Sequence, residues 1–257
     1  MMRVFAVSDL HLDYAPNREW LEQLSSHAYK DDVLVLAGDI SDKLPLLSSG
    51  FQTLAERFNT VLYVPGNHDL WISRDGMRNS FEKFEAVRET AMHHGVRMTP
   101  FRHGDLAIVP MLGWYDYSFG APDGFLKGAW ADYRACRWPE GYDDAAITHF
   151  FTERNPVASA PELEGARNII TFSHFLPRID LMPDHIPSRH RKIYPVLGSS
   201  ILETQLRALG SSMHVYGHSH VNRHVTLDGV TYINNAFGYP AEAHFTGRRL
   251  LHIHTEP

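Results

Sequence analysis

Cysteine is almost missing from this chain: Cys136 is the single one among 257 residues. One thiol excludes an intramolecular disulfide and fits a reducing compartment, so the chain reads as cytoplasmic. Cys136 has no CxxC partner or activating neighbour, and reads as an inert thiol. No apolar run approaches membrane-spanning length. The amino terminus enters a strand at residues 3–8 without the basic and apolar regions of a secretory signal. Positive charge is also short, with 24 Lys and Arg against 30 Asp and Glu and a net charge of -6. A protein that coats nucleic acid needs a basic surface to neutralise phosphates, so no extended nucleic-acid surface and no membrane partner are expected. A small or single-site substrate fits better. It is free to be anionic, because bound divalent metals make a cleft locally positive.

What is present is histidine, seventeen in all, on a background that is 44% hydrophobic. The length suits one α/β domain spanning 1–257. Short β-branched runs at 4–7, 33–37, 61–64, 107–109, 168–172 and 213–216 read as buried strands. Helical patterns lie between them at 18–28, 51–58, 80–94, 143–154 and 199–209. After residue 220 the pattern turns to strands alone, at 223–227, 230–234 and 249–255, with an Asp228-Gly229 turn signal. Alternating strand and helix followed by a β meander predicts mixed sheets covered by helices. Residues 113–142 fit neither period. Rich in aromatics, glycine and proline, they read as a lid-like insertion.

Five short motifs follow predicted strands in order: Asp9-Leu10-His11, Gly38-Asp39, Gly66-Asn67-His68-Asp69, Ser173-His174 and Gly217-His218-Ser219-His220. In extended chain, residues i and i+2 point the same way, so Asp9 with His11, and His218 with His220, each aim two ligands at one place. Loops at the ends of parallel strands converge on one sheet edge, where Asp39, Asn67 and His174 can join them. Asp39 is the natural carboxylate to bridge two cations. Mixed imidazole, carboxylate and amide ligation favours manganese, iron or zinc over magnesium.

The set resembles the calcineurin-like metallophosphoesterase superfamily, whose pattern is D-x-H, G-D, G-N-H-D/E, a lone H and G-H-x-H. The match covers residues 9–220. It implies a four-layer αββα sandwich, in which two packed mixed β-sheets are flanked by helices. It also implies two divalent or trivalent metal ions, one on Asp9, His11 and His220, the other on Asn67, His174 and His218, with Asp39 between them. The chain would then be a dinuclear-metal phosphoesterase acting through a metal-bridging hydroxide, with His68 assisting the leaving oxygen. Asp42 matches a position that orients this histidine in some members; its other reading is an ordinary N-cap or loop aspartate. Asp69 reads as a loop hydrogen-bond acceptor.

The aromatic segment and the modest size favour a phosphodiesterase on small or nucleotide-like substrates. A phosphomonoesterase or a protein phosphatase of the same superfamily is the enzymatic alternative, although the chain reads Gly38-Asp39-Ile40-Ser41-Asp42-Lys43 where a protein phosphatase has G-D-x-V-D-R-G. A non-catalytic interaction module on this fold is the alternative from another class. Tyr115 and Asp116 are the loop residues placed to touch substrate, and Arg178, just after His174, could grip a phosphate oxygen. The run 189–192 reads as a solvated basic stretch.

Overall fold

Strands form where aliphatic residues run for a few positions between polar breaks. The computed structural model, which describes residues 1–257, contains ten of them: β1 Met2–Val7, β2 Val33–Leu36, β3 Thr60–Tyr63, β4 Phe101–His103, β5 Leu106–Pro110, β6 Asn168–Phe172, β7 Met213–Tyr216, β8 Arg223–Leu227, β9 Val230–Asn234 and β10 Leu251–Glu256. They make two mixed sheets of order β10-β1-β2-β3 and β4-β5-β6-β7-β9-β8. In the first, β1, β2 and β3 are parallel and β10 closes the edge antiparallel, with a register shift between Val4 and Phe5. In the second, β5, β6, β7 and β9 are parallel, while β4 and β8 are antiparallel edges.

Seven helices connect them: α1 Ala15–Glu22, α2 Leu44–Ala55, α3 Ser80–His93, α4 Gly124–Ala129, α5 Asp132–Ala135, α6 Asp144–Thr152 and α7 Ser200–Ala208. Side-chain caps fix several starts: Asn79 accepts from Glu82 N–H, Asp123 from Leu126, Asp143 from Ala146 and Ser199 from Ile201. The first helix stops at Glu22, short of the expected residue 28. Ser25 Oγ there accepts from the N–H groups of His27 and Ala28, a local turn that competes with helix.

The layers follow from which face each strand buries. Val4, Ala6, Val35 and Leu62 of the first sheet share one apolar interior with Ile108, Ile170, Phe172, Val215 and Ile233 of the second. The outer face of the first sheet, through Phe5, Leu34 and Leu36, packs on Leu21, Phe51, Leu54 and Val87 of α1, α2 and α3. The outer face of the second, through Ala107, Val109 and Tyr216, packs on Ile147, Phe151, Leu202 and Leu206 of α6 and α7. This is the αββα arrangement. The parallel strands of both sheets send their following loops to a common edge.

Candidate metal centre

Five parallel strands deliver the motifs: β1 precedes Asp9 and His11, β2 Asp39, β3 Asn67 and His68, β6 His174, and β7 His218 and His220. The extended i,i+2 alternation expected for the paired ligands is not what aims them. Asp9 (φ 55°), His11 (φ 43°), Asp39 (φ 57°), His218 (φ 67°) and His220 (φ 53°) are all left-handed. Residues with a Cβ are strained in that region, and such strain collects at functional sites. Bonds between loops hold it in place: Asp9 N–H donates to Gly38 O (2.9 Å), His11 N–H to Asp39 O (3.0 Å) and Gly217 N–H to His174 O (2.9 Å). Asp69 ties two loops together by accepting from the N–H groups of Asp39, Ile40, Ser41 and Gly66 and from Tyr63 Oη. Glycine is required where loops touch. A Cβ on Gly66 would overlap Asp39 Oδ1, and one on Gly217 would lie 2.8 Å from Asp9 Oδ2.

Two donor sets result. In one, His220 Nε2 is 3.1 Å from Asp9 Oδ1 and 3.2 Å from His11 Nε2. In the other, His174 Nε2 is 3.1 Å from both Asn67 Oδ1 and His218 Nδ1. Asp39 Oδ2 stands between, 4.0 Å from His11 Nε2 and 3.5 Å from His174 Nε2, while its Oδ1 accepts from His68 N–H at 2.9 Å. The outward-facing atoms of the second set are already committed. His174 Nδ1 donates to Ala37 O (2.9 Å), His218 Nε2 to Val196 O (3.0 Å) and Asn67 Nδ2 to Asp132 Oδ1 (2.8 Å). Burial holds both imidazoles below their usual pKa, with His218 lowered further by His174, so no extra proton fills the gap. The three converging atoms are therefore lone pairs, which repel at 3.1 Å unless a cation lies among them. This donor set fits a metal.

The first set shows the same demand for positive charge. Burial works against protonation of His220, but Asp9 and Glu242 prevail and push it up to about 10. Asp39 is raised well above the usual carboxylate range by burial and by the negative charges of Asp9 and Asp69.

The two parallel strands without a motif supply an outer layer. The chain after β5 brings Asp132, which is 2% exposed. Its Oδ1 accepts from Asn67 Nδ2 (2.8 Å) and Trp71 Nε1 (2.7 Å), and its Oδ2 from Trp130 Nε1 (2.7 Å). The chain after β9 brings Glu242 Oε2, which accepts from His220 Nδ1 (2.6 Å) and Tyr239 N–H (2.8 Å). Above the donors lies a cavity of about 280 Å³ with Trp71, Trp130 and Tyr239 among its walls. Trp71 stacks on His68 with ring centres 3.7 Å apart, and Tyr239 stacks on His11 at 4.3 Å. The Tyr239 hydroxyl is 3.3 Å from His68 Nε2. Burial, with His174 and His220 nearby, lowers His68 to about 3.

A family model described as calcineurin-like phosphoesterase matches residues 2–222. The chain belongs to that family. It is accordingly a metal-dependent phosphoric ester hydrolase of the calcineurin-like fold. It is 28% identical over 278 residues to an acyl-carrier-protein phosphodiesterase, PptH, of Mycobacterium tuberculosis, a match covering 93% of this chain and 78% of that one. It also resembles the crystal structure of the phosphopantetheinyl hydrolase PptH from the same organism, with a TM-score of 0.77, 25% identity and coverage of 100% of this chain and 97% of that one. No helix of this calcineurin-like phosphoesterase is long and apolar enough to cross a membrane.

Four expected contacts lie elsewhere in this phosphoesterase. Asp42 does not orient His68: its carboxylate pairs with Arg74 at 3.2 Å, and its carbonyl accepts from Lys83 Nζ. Burial, and the hydrogen bond that its protonated form donates to the Asp13 carboxylate, push Asp42 up to about 7. Tyr115 is not on the cavity wall but in the core against Trp114 and Phe175, because the loop's aromatics fasten it to the second sheet. Asp116 accepts from Ser199 Oγ (2.7 Å) and Ser118 N–H, serving the start of α7. Arg178 is bound by Asp180 and Asp228, 2.7 and 2.8 Å away, leaving no fork for phosphate. The residues missed were Asp132, Tyr239 and Glu242. An acid two residues after a tryptophan in the aromatic segment 113–142 is a sequence signal for the first; nothing local distinguishes the other two.

Proposed function

We propose that this phosphoesterase is a two-metal phosphodiesterase whose substrate is the phosphodiester joining a phosphopantetheine-type arm to a serine of a carrier protein. Asp9, His11 and His220 would hold one ion and Asn67, His174 and His218 the other, with Asp39 placed between the two donor sets; manganese, iron and zinc suit these donors. When bound, the ions supply an acidified water as nucleophile and neutralise the phosphate oxygens. The chain's own residues do the rest. Glu242 and Asp132 fix the ring of His220 and the amide of Asn67 by hydrogen bonds on their far sides. His68, held flat against Trp71, offers its ring N–H to the leaving oxygen as charge develops.

The observation that carries the diester reading is the cavity wall. Its twelve residues include no lysine or arginine, whereas Trp71, Trp130 and Tyr239 are prominent. A monoester dianion calls for a guanidinium or ammonium at its outer oxygens. A diester carries one charge less, and its second arm needs a surface of the kind these rings offer. The likeness to an acyl-carrier-protein phosphodiesterase supports the carrier substrate. With manganese supplied, the enzyme is expected to cleave bis(p-nitrophenyl) phosphate at least about tenfold better in kcat/KM than p-nitrophenyl phosphate, and to release phosphopantetheine from a loaded carrier protein. A strict monoester preference overturns the proposal. Cleavage of nucleotide diesters with an untouched carrier returns the reading to small nucleotide-like substrates.

A further inference from the structure

Two segments that end on the site also form a cationic surface beside it. Helix α4 runs into Trp130, which lies on the cavity wall. The 3-10 stretch Ser188–Val196 ends at Val196, whose carbonyl accepts from His218 Nε2. The two meet where Lys192 Nζ lies 5.4 Å from the ring centre of Phe125, a phenylalanine that is 69% exposed. At a rise of about 1.5 Å per residue, Phe125 stands roughly 8 Å from Trp130 along the helix.

Lys127, Arg189, Arg191 and Lys192 are exposed on these segments, and Arg134 is exposed on α5, which follows Trp130. None of them is paired with a carboxylate in a salt bridge, and only Lys127 has one near enough to feel its charge, Asp144. Arg134 donates to the carbonyls of Gly128 and Ala129, Arg191 to those of Asp184 and Ile186, and Arg189 to the ring of His190. Asp123 is committed to capping α4, and Asp132 is buried in the site. The chain as a whole carries a net charge of -6, so this rim opposes the general sign of the surface.

We propose that this rim docks an acidic face of the carrier protein, with Phe125 as its apolar contact. The inference rests on the carrier-protein reading above. The scissile diester of such a substrate stands only a serine side chain away from the carrier's backbone. The carrier must therefore sit on the lip of the cavity while its phosphate reaches the metals. Acidic groups on it are disfavoured by the net charge of -6 on the chain and drawn to this basic rim, which speeds encounter and fixes orientation.

The test is the triple variant K127E/R189E/K192E, alongside F125S, assayed with manganese on a phosphopantetheinylated acyl carrier protein of acidic net charge and on bis(p-nitrophenyl) phosphate. The triple variant is expected to raise KM for the carrier by about tenfold or more while leaving the aryl diester within about twofold of wild type. F125S should raise the carrier KM in the same selective way. Added salt should raise the wild-type carrier KM and leave the aryl diester flat, since exposed charges are screened within about 8 Å at physiological ionic strength. An unchanged carrier KM in the triple variant overturns the docking surface, as does an equal loss on both substrates. A wild-type enzyme that turns over the aryl diester but not the carrier removes the carrier reading, and the docking proposal with it.

Discussion

Asp132 gathers three N–H donors, from Asn67, Trp71 and Trp130, on one carboxylate that water hardly reaches. Asparagine there has the same shape but turns an NH₂ toward at least one of those donors, leaving two buried donors face to face. The Asn67 amide then loses the contact that points its carbonyl oxygen at His174 and His218. Outer-layer changes of this kind cost about 10- to 100-fold in metal affinity. Asp132→Asn should therefore weaken manganese binding by about that factor in a calorimetric titration, and excess manganese should restore much of its turnover. His68→Ala should do the reverse, keeping wild-type manganese affinity while turnover falls by about 100- to 10,000-fold, because its ring lies over the donors without completing either set. Equal behaviour of the two variants in both assays would remove the division of labour between them.

At the scale of elements, every parallel strand sends its following chain to one edge, yet only five announce it. Strands β1, β2, β3, β6 and β7 precede ligand motifs that were legible because metal chemistry restricts residue type and spacing. Strands β5 and β9 precede Asp132, Tyr239 and Glu242, which act by hydrogen bonding to other side chains and leave no motif of their own. The strands themselves were readable from apolar runs, to within a residue or two at most ends. Strand β4, Phe101–His103, was not, being three residues long with two polar positions. Within 113–142, α4 and α5 were missed because four to six residues are too few to show a helical period, and Gly124 and Gly128 argue against one. Nor does sequence reveal that the paired ligands are aimed by left-handed turns instead of strand alternation. Loop-to-loop contact makes its own prediction. Besides its overlap with Asp39 Oδ1, a Cβ at residue 66 would stand 2.7 Å from Asp39 N, so side-chain rotation cannot relieve it. Gly66→Ala should destabilise the metal-free protein by about 1–3 kcal/mol, as overpacking does, and weaken metal binding as well. A variant with wild-type melting temperature and affinity would show that the loops after β2 and β3 separate at no cost.

Across the whole molecule, two sheets converge on a spot where Asp9, Asp39 and Asp69 are all buried. That placement crowds buried carboxylates and facing lone pairs together, offset within the chain chiefly by the raised His220 beside Asp9. The shared core of the two sheets must hold the loops together against this repulsion whenever no cation is bound. Metal and fold are therefore linked: ions that bind the assembled edge and not the unfolded chain stabilise by mass action. A single site at a hundredfold excess over its Kd contributes about 2.7 kcal/mol. For a chain of this size that corresponds to a rise of about 5–10 °C in melting temperature, and more where a second ion binds. Calorimetric scans in a chelator and at rising manganese should show that increase, and it should continue with the logarithm of free metal beyond saturation. The same scans on His174→Ala should show a smaller rise, since that change removes the imidazole shared by the closest contacts of the second set. Identical melting in chelator and manganese for the wild-type protein would mean that the edge is equally stable empty, and that the repulsion inferred from the facing donors is relieved in some other way.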